Sequence, residues 1–595
     1  MPAESLSLTA QELPIEVPGE PSETLSFAAD QLSYYLAIIT GRRFPVGRGP
    51  GRIRLSCAME GPEGSYEIRV LTDGVELRGT DDLALLHAVY EFLETKCGCR
   101  WLAAFEGDEI VPRIEDLSVP LCSERREPAC THRAFTNFPD IDRRTVRMVD
   151  WMCKNRFNRF MVFANVQGAF DRYREILKPH LALRGMKVEM GHHSFRYWLP
   201  PQEFFSEHPE WYAQIGGKRV PDGQLCTSNA TVSDTVADRI CEFLDGNPEI
   251  DLIGLWPNDG YGWCECSQCA KLEPQRPSAM RPPQLARTDT YIEFVNRVAR
   301  RVHEAHPDKR LSALAYVNYV EPPTLDLAEN VDVCYAAMNR CFKHPFYGGA
   351  ECTRENARYA EYFDQWRQRV PGSLYLFCYL MLIDMCSVPY DITGMLGPNF
   401  RWLAEHGCDG YVMEFKPDEW GPFGVNGHLI GRLSWDPDLD VDAWLAGYYA
   451  DLYGPAAPQM LAFHKAYQDR FVAPGPCVYH YDLTYTRRAT RELLLPALEH
   501  LGRARALAAT GEKRHRQALE RAHLGIELLM RMGRWQRAHA RAQVAEGPKK
   551  AVLTQQAVDL AEDLVAWANN HSDTDAIFAP RIEMMARRAI DALQS

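Results

Sequence analysis

Three cysteines, an aspartate and two tryptophans fall within one stretch, Leu255-Trp-Pro-Asn-Asp-Gly-Tyr-Gly-Trp-Cys-Glu-Cys-Ser-Gln-Cys269, and these residue types imply two kinds of chemistry. Asp259, set between Trp256 and Trp263, is placed to have its pKa raised by desolvation, which is what a general acid requires. Cys264, Cys266 and Cys269 match the softness and closeness of a zinc site that lacks one ligand, with Cys341, Cys352 or His344 as candidates for the fourth. The bland alternatives are a helix-capping or ion-paired aspartate and three ordinary thiols. Without a His-rich ligand pattern, a structural zinc that stiffens the Asp259 loop fits better than a catalytic one, and no cofactor is expected for catalysis.

Other apolar runs also end in polar residues: Gly191-His192-His193-Ser194, Tyr316-Val-Asn318-Tyr319, and Glu414 at the close of Cys408-Asp-Gly-Tyr-Val-Met-Glu. Breaking a glycosidic bond takes one acid for the leaving oxygen and a second group that acts as nucleophile or steadies the charge at the anomeric carbon. Asp259 and Glu414 are the best pair by position, with Asn258 beside the acid and with Asp418 and Glu419 as substitutes for Glu414. His192, His193, Trp256, Tyr316, Asn318, Tyr379, Arg340 and Asn426 are the candidates for holding the sugar, aromatic faces stacking on pyranose rings while amides, imidazoles and guanidinium bind hydroxyls. The histidines would be loop or core residues in most proteins, and Arg340-Cys-Phe-Lys-His344 has a helix-capping and metal-supporting alternative.

Such residues must converge from distant parts of the chain, and the pattern of elements supplies a way. Short apolar runs at Arg159, Met186, Asp251, Leu311, Val331, Ser373 and Cys408 alternate with amphipathic helical stretches, as parallel strands buried on both faces do. With an eighth strand expected near Gln224 to Ser228, the fold class is α/β with a (β/α)8-type barrel over residues 126–473, whose active site lies at the carboxyl ends of the strands. Before it, residues 1–125 read as a small α/β sandwich domain, with a hairpin around Thr72-Asp-Gly and a helix from Asp82. After it, residues 474–595 turn Ala, Leu, Glu and Arg rich with helical periodicity and read as an α-helical domain without a chemical motif.

At 595 residues, 46% hydrophobic and 25% charged, the chain is a multidomain globular protein. Its net charge of −14 offers no basic surface, so nucleic acid is not an expected partner. The start Met-Pro-Ala-Glu-Ser-Leu lacks signal-peptide features, and no apolar run is long enough for a membrane span, so a cytoplasmic protein with no membrane partner is expected. The 18 cysteines are scattered through apolar runs, as reduced thiols are. A homo-oligomer is compatible with all of this.

Gly98-Cys-Arg-Trp-Leu, Arg147-Met-Val-Asp-Trp-Met-Cys-Lys-Asn-Arg-Phe-Asn, His208-Pro-Glu-Trp-Tyr-Ala, Leu225-Cys-Thr-Ser-Asn, Pro257-Asn-Asp-Gly with the cysteines, and Gly431-Arg-Leu-Ser-Trp-Asp-Pro-Asp span roughly Tyr66 to Pro455. Together they resemble a bacterial family with a long domain formerly of unknown function, related to glycoside hydrolase family 163 endo-β-N-acetylglucosaminidases. In that family the barrel follows an N-terminal domain like that of family 20 hexosaminidases and α-glucuronidases. The resemblance implies a carbohydrate substrate containing N-acetylhexosamine, and Asn258-Asp259 stands where family 20 has an Asp-Glu pair that orients the acetamide and donates the proton. Asn258 can hydrogen bond an acetamide but cannot offset the charge of an oxazolinium-like intermediate, so a conventional mechanism using Glu414 stays open. The alternatives are a glycosidase of other specificity, such as an α-glucuronidase with a cation for the uronate, and a noncatalytic carbohydrate-binding barrel.

Overall fold

The computed structural model describes residues 4–9, 13–105, 107–136, 141–278, 284–349, 352–379, 387–414, 420–474, 477–479, 484–574 and 576–594. Its centre is a closed barrel of eight parallel strands: β1 (His132–Thr136), β2 (Arg159–Phe163), β3 (Lys187–Gly191), β4 (Ile250–Gly254), β5 (Arg310–Ala315), β6 (Val331–Tyr335), β7 (Leu374–Tyr379) and β8 (Gly410–Glu414). The order around the barrel is the order along the chain, and β8 closes on β1 with Glu414 opposite Thr136. Helices such as Arg143–Lys154, Ala230–Gly246 and Thr288–Ala305 carry the crossovers, while the β5 to β6 crossover has only the 3-10 turn Val317–Tyr319.

The seven apolar runs are all strands, but the eighth expected strand is not at Gln224 to Ser228. That segment is a loop with one isolated bridge, Tyr212 to Leu225. The missing strand is β1, whose five residues are all buried although three are polar. Its Phe135 packs outward on Trp151 and Phe157. Arg133 is consumed by local partners, with Nε donating to Arg156 O at 2.8 Å and the guanidinium lying 4.8 Å from the Trp435 ring. His132 faces the barrel interior, stacked at 3.9 Å on Tyr375. Polar side chains buried in this way interrupt the apolar run by which a barrel strand is recognised.

In front of the barrel is a six-stranded sheet in the order Cys122–Arg126, Tyr66–Val70, Val75–Gly79, Ile53–Ser56, Ile15–Glu16, Val46–Gly47, with the hairpin turning at Thr72 to Gly74. The helix Asp82–Thr95 packs on it and reaches the barrel through Glu94, which pairs with Arg156 and, at 3.0 Å, with Arg432. Four long helices, Arg491–Ala508, Lys513–Gln543, Pro548–Asn569 and Ala579–Gln594, form the carboxyl-terminal layer. Arg491–Ala508 packs against Ala457–Tyr467 and Lys513–Gln543 against Val441–Tyr453, while the last two helices pack on Lys513–Gln543. Among the described residues no helix is long and apolar enough to cross a membrane.

Candidate functional site

Two loops at the carboxyl end of the barrel, one after β3 and one after β4, are fastened edge to edge. Gly191 and Gly254 let them touch, since a Cβ on Gly191 would stand 2.7 Å from the Cα of Gly254. Ser194 Oγ donates to Gly254 O at 2.7 Å, and Ser194 N–H donates to Trp256 O at 2.9 Å. His192 sits in the left-handed region at φ 67°, a conformation that places two consecutive imidazoles over the barrel mouth.

The His192 ring lies flat on Phe163 with centroids 3.9 Å apart, and its Nδ1 is 3.1 Å from Asn165 Oδ1. Burial pushes its pKa well below the usual histidine value, so it is a neutral donor to Asn165 with Nε2 unprotonated. His193 donates from Nδ1 to Pro257 O at 2.6 Å, which turns Nε2 toward Asp259 Oδ1, 3.6 Å away. Burial lowers the pKa of His193 and the Asp259 charge pulls it partly back. Tyr316 donates to Asp259 Oδ1 at 3.5 Å and lies 3.1 Å from Met338 Sδ.

Asp259, Glu414, His192, His193, Trp256, Tyr316 and Tyr379 line one cleft of about 650 Å³. A second, wider groove shares Asn165, His193 and Asp259 with it and runs outward past Arg196, Tyr197, Glu203 and Arg239. Glu414 is buried at the last position of β8, opposite Tyr379 of β7, whereas the Asp259 side chain is 65% exposed. The two tryptophans do not enclose Asp259 as expected. Trp263 packs away from the cleft against Tyr291 and Tyr319, and Trp256 is a floor residue whose Nε1 donates to Ser312 Oγ at 3.2 Å.

Four other expected residues do not line this cleft, although Asn258 borders the wider groove. Asn258 accepts Arg196 N–H at 3.0 Å on Oδ1 and donates from Nδ2 to Gly223 O at 3.2 Å, so its amide ties loops together. Asn318 is buried outside the cleft and donates to Leu285 O at 3.2 Å. Asn426, fully buried, donates to Tyr390 O at 2.8 Å and accepts Ile392 N–H at 3.3 Å. Arg340 points into a neighbouring aromatic cavity, 4.5 Å from the Phe342 ring, where burial lowers its pKa. Asp418 and Glu419 lie outside the described residues.

Sequence reasoning missed two residues that shape the site. Gln224, fully buried, brackets the acid from behind, accepting Asn258 N–H at 2.8 Å and donating to Asn258 O at 2.7 Å. Glu189 lies in the barrel interior beneath the cleft, accepts the Tyr375 hydroxyl at 2.8 Å, and has its Oε2 3.5 Å from His132 Nε2. Ser312 joins Tyr375 to Trp256, at 2.7 and 3.2 Å. Burial raises the Glu189 carboxyl to about 7, opposed by Arg159 and the Tyr375 hydrogen bond. A glutamate between Val188 and Met190 in a strand buried on both faces was the available signal.

The fourth thiol beside Cys264, Cys266 and Cys269 is Cys226. Cys341, Cys352 and His344, the expected sources, gather elsewhere. Cys226 Sγ lies 3.7, 3.8 and 3.9 Å from the sulphurs of Cys264, Cys266 and Cys269. Tetrahedral zinc with bonds of about 2.3 Å sets its sulphurs about 3.8 Å apart, so the donor set fits. Gln214 N–H donates to Cys264 Sγ at 3.3 Å and the Arg219 guanidinium is 3.7 Å from it, partners suited to thiolate charge.

Residues 105–465 match a family profile described as a domain of unknown function, DUF4838. No curated protein matches the sequence. Among solved structures, BtGH115A, a family GH115 4-O-methyl-α-glucuronidase with specificity for decorated arabinogalactans, superposes with a TM-score of 0.62 at 12% identity, over 97% of this chain and 79% of that one. A GH138 enzyme targeting pectin rhamnogalacturonan II does so with a TM-score of 0.57 at 11% identity, over 98% and 99% of the two chains. The N-acetyl-β-hexosaminidase of Streptomyces plicatus gives a TM-score of 0.48 at 15% identity over 75% and 91%. At such identities the first two likenesses speak to the fold alone.

Proposed function

This chain belongs to the DUF4838 family, and from its own geometry we propose that it is a glycoside hydrolase acting at the cleft between Asp259 and Glu414. The observation that carries this reading is that two carboxylates from different strand ends share one cleft floored and walled by Trp256, His192, Tyr316 and Tyr379. Asp259 is the acid. With the Nδ1 proton of His193 held by Pro257 O, its Nε2 faces Asp259, the exposed carboxyl placed to serve a leaving oxygen. Glu414, buried on the barrel side, is the nucleophile or base. Asn258 has its amide engaged by the loop, which favours this two-carboxylate chemistry over acetamide assistance through that residue.

The sequence resemblance makes N-acetylhexosaminides the first substrates to assay and glucuronides the second. The groove that runs outward from the cleft supports a substrate longer than one sugar. A structural zinc held by Cys226, Cys264, Cys266 and Cys269 belongs to the same proposal, because the loop it would brace begins five residues after the acid. The test is a screen of aryl N-acetylglucosaminides, N-acetylgalactosaminides and glucuronides with wild type and Asp259→Asn. We expect the variant to lose about 10²-fold or more in kcat with poor leaving groups and less with activated ones, as removal of a general acid does. Equal activity of the two proteins on every substrate turned over removes Asp259 from the acid role.

A further inference from the structure

A second cluster of metal-binding side chains lies away from the cleft, and we propose that Cys341, His344, Cys352 and Cys477 form a structural zinc site that pins the loop after β6 to the segment leading into the carboxyl-terminal helices. The four donor atoms all lie within 4.8 Å of one another. Cys341 Sγ is 3.2 Å and Cys477 Sγ 3.7 Å from His344 Nδ1, while Cys477 Sγ is 3.2 Å from Cys352 Sγ. A tetrahedral zinc, with Zn–S of about 2.3 Å and Zn–N of about 2.0 Å, requires sulphur to nitrogen separations of about 3.5 Å and sulphur to sulphur separations of about 3.8 Å. The three separations of 3.2, 3.7 and 3.2 Å lie within about 0.6 Å of these tetrahedral figures. Three thiolates and one imidazole are a soft donor set that selects zinc over magnesium or calcium.

The surroundings are built for such a site. Cys341 and Cys352 are buried. Asn356, fully buried, accepts Cys341 N–H at 2.8 Å and donates to Cys341 O at 3.0 Å and Pro345 O at 2.7 Å, which fixes the backbone between the first two donors. Phe342 N–H donates to Val478 O at 2.8 Å, so the fourth donor arrives on a segment already paired to the loop. Cys352 and Cys477 are 125 positions apart, a span over which a cross-link restrains the unfolded chain strongly. The same loop carries Met338, whose Sδ meets the Tyr316 hydroxyl that reaches Asp259, so the zinc would also hold one wall of the cleft. A Cys352 to Cys477 disulfide is the competing use of these thiols, but it would leave Cys341 and His344 facing a bond they do not share.

Differential alkylation of the full-length protein separates the two, with the cysteines located by peptide mass. For zinc, Cys341, Cys352 and Cys477 resist iodoacetamide in the native protein and become reactive on adding a strong chelator without reductant. Elemental analysis should then show about one zinc less per chain in His344→Ala and in Cys477→Ser than in wild type, whatever the occupancy of the Cys226 cluster, which Cys226→Ser reports separately. Unlabelled thiols released by reductant and not by chelator would overturn the proposal in favour of a disulfide. Labelling of all three without chelator, or an unchanged zinc count in both variants, would overturn it outright.

Discussion

Replacing Glu189 with glutamine isolates the energetic consequence of a carboxyl sealed inside the barrel. The residue is fully buried and burial lifts its carboxyl from 4.5 to about 7. The folded state therefore binds a proton that the unfolded chain releases above its ordinary value, and stability falls as pH rises between 4.5 and 7. A raise of about 2.5 units at 1.36 kcal/mol each corresponds to roughly 3 kcal/mol lost by pH 8. Glutamine keeps an acceptor for the Tyr375 hydroxyl and presents an amide N–H toward His132 Nε2, which burial keeps neutral, so it mimics the protonated acid. Glu189→Gln should match wild type at pH 5 and exceed it at pH 8 by a few degrees in the apparent Tm of the barrel transition. His132 has a depressed pKa and destabilises both proteins alike as pH falls below its unfolded value, so it cancels in the comparison. Parallel Tm curves for the two proteins from pH 5 to 8 would refute an ionising, buried Glu189.

Two further substitutions probe the scaffold of the site. Gln224→Leu strips both partners from the Asn258 peptide and leaves its N–H and C=O buried and unpaired, at a cost of about 1–3 kcal/mol each, so Tm should fall. Because that peptide carries Asp259, kcat should fall by more than KM rises, and an unchanged kcat would show that the acid does not depend on this clamp. Gly191→Ala drives a methyl to 2.7 Å from the Gly254 backbone, a contact that only separation of β3 and β4 relieves. Loss of soluble protein or a large drop in Tm is expected, and wild-type stability would show that the two loops are not held as described.

Much of the barrel was legible because parallel strands covered by helices are apolar on both faces and stand out as uninterrupted runs. β1 escaped because three of its five residues are polar: His132 stacks on Tyr375 inside the barrel, Arg133 donates to Arg156 O, and Thr136 donates to Met161 O of the neighbouring β2. The false strand at Gln224 to Ser228 had the right place in the alternation, yet its residues serve as a clamp and a thiol donor, work that requires loop geometry. Asp259, Glu414, His192, His193, Tyr316 and Tyr379, distant in the chain, line one cleft. Asn318 and Asn426 stand outside that cleft, their amides bound to nearby backbone carbonyls in a way that hydropathy does not report.

By itself the sequence determined the α/β barrel, its leading α/β sheet and trailing helices, and the loop that bears Asp259, because these follow from local periodicity and from residues adjacent in the chain. Only the tertiary structure decided which carboxylate faces solvent and which is sealed in, and which thiols sit together. Cys226 joins Cys264, Cys266 and Cys269 while Cys477 joins Cys341, His344 and Cys352. The reason is that pKa and metal geometry depend on atoms a few ångströms apart in space, and closing a barrel brings together residues whose separation along the chain carries no record of that distance.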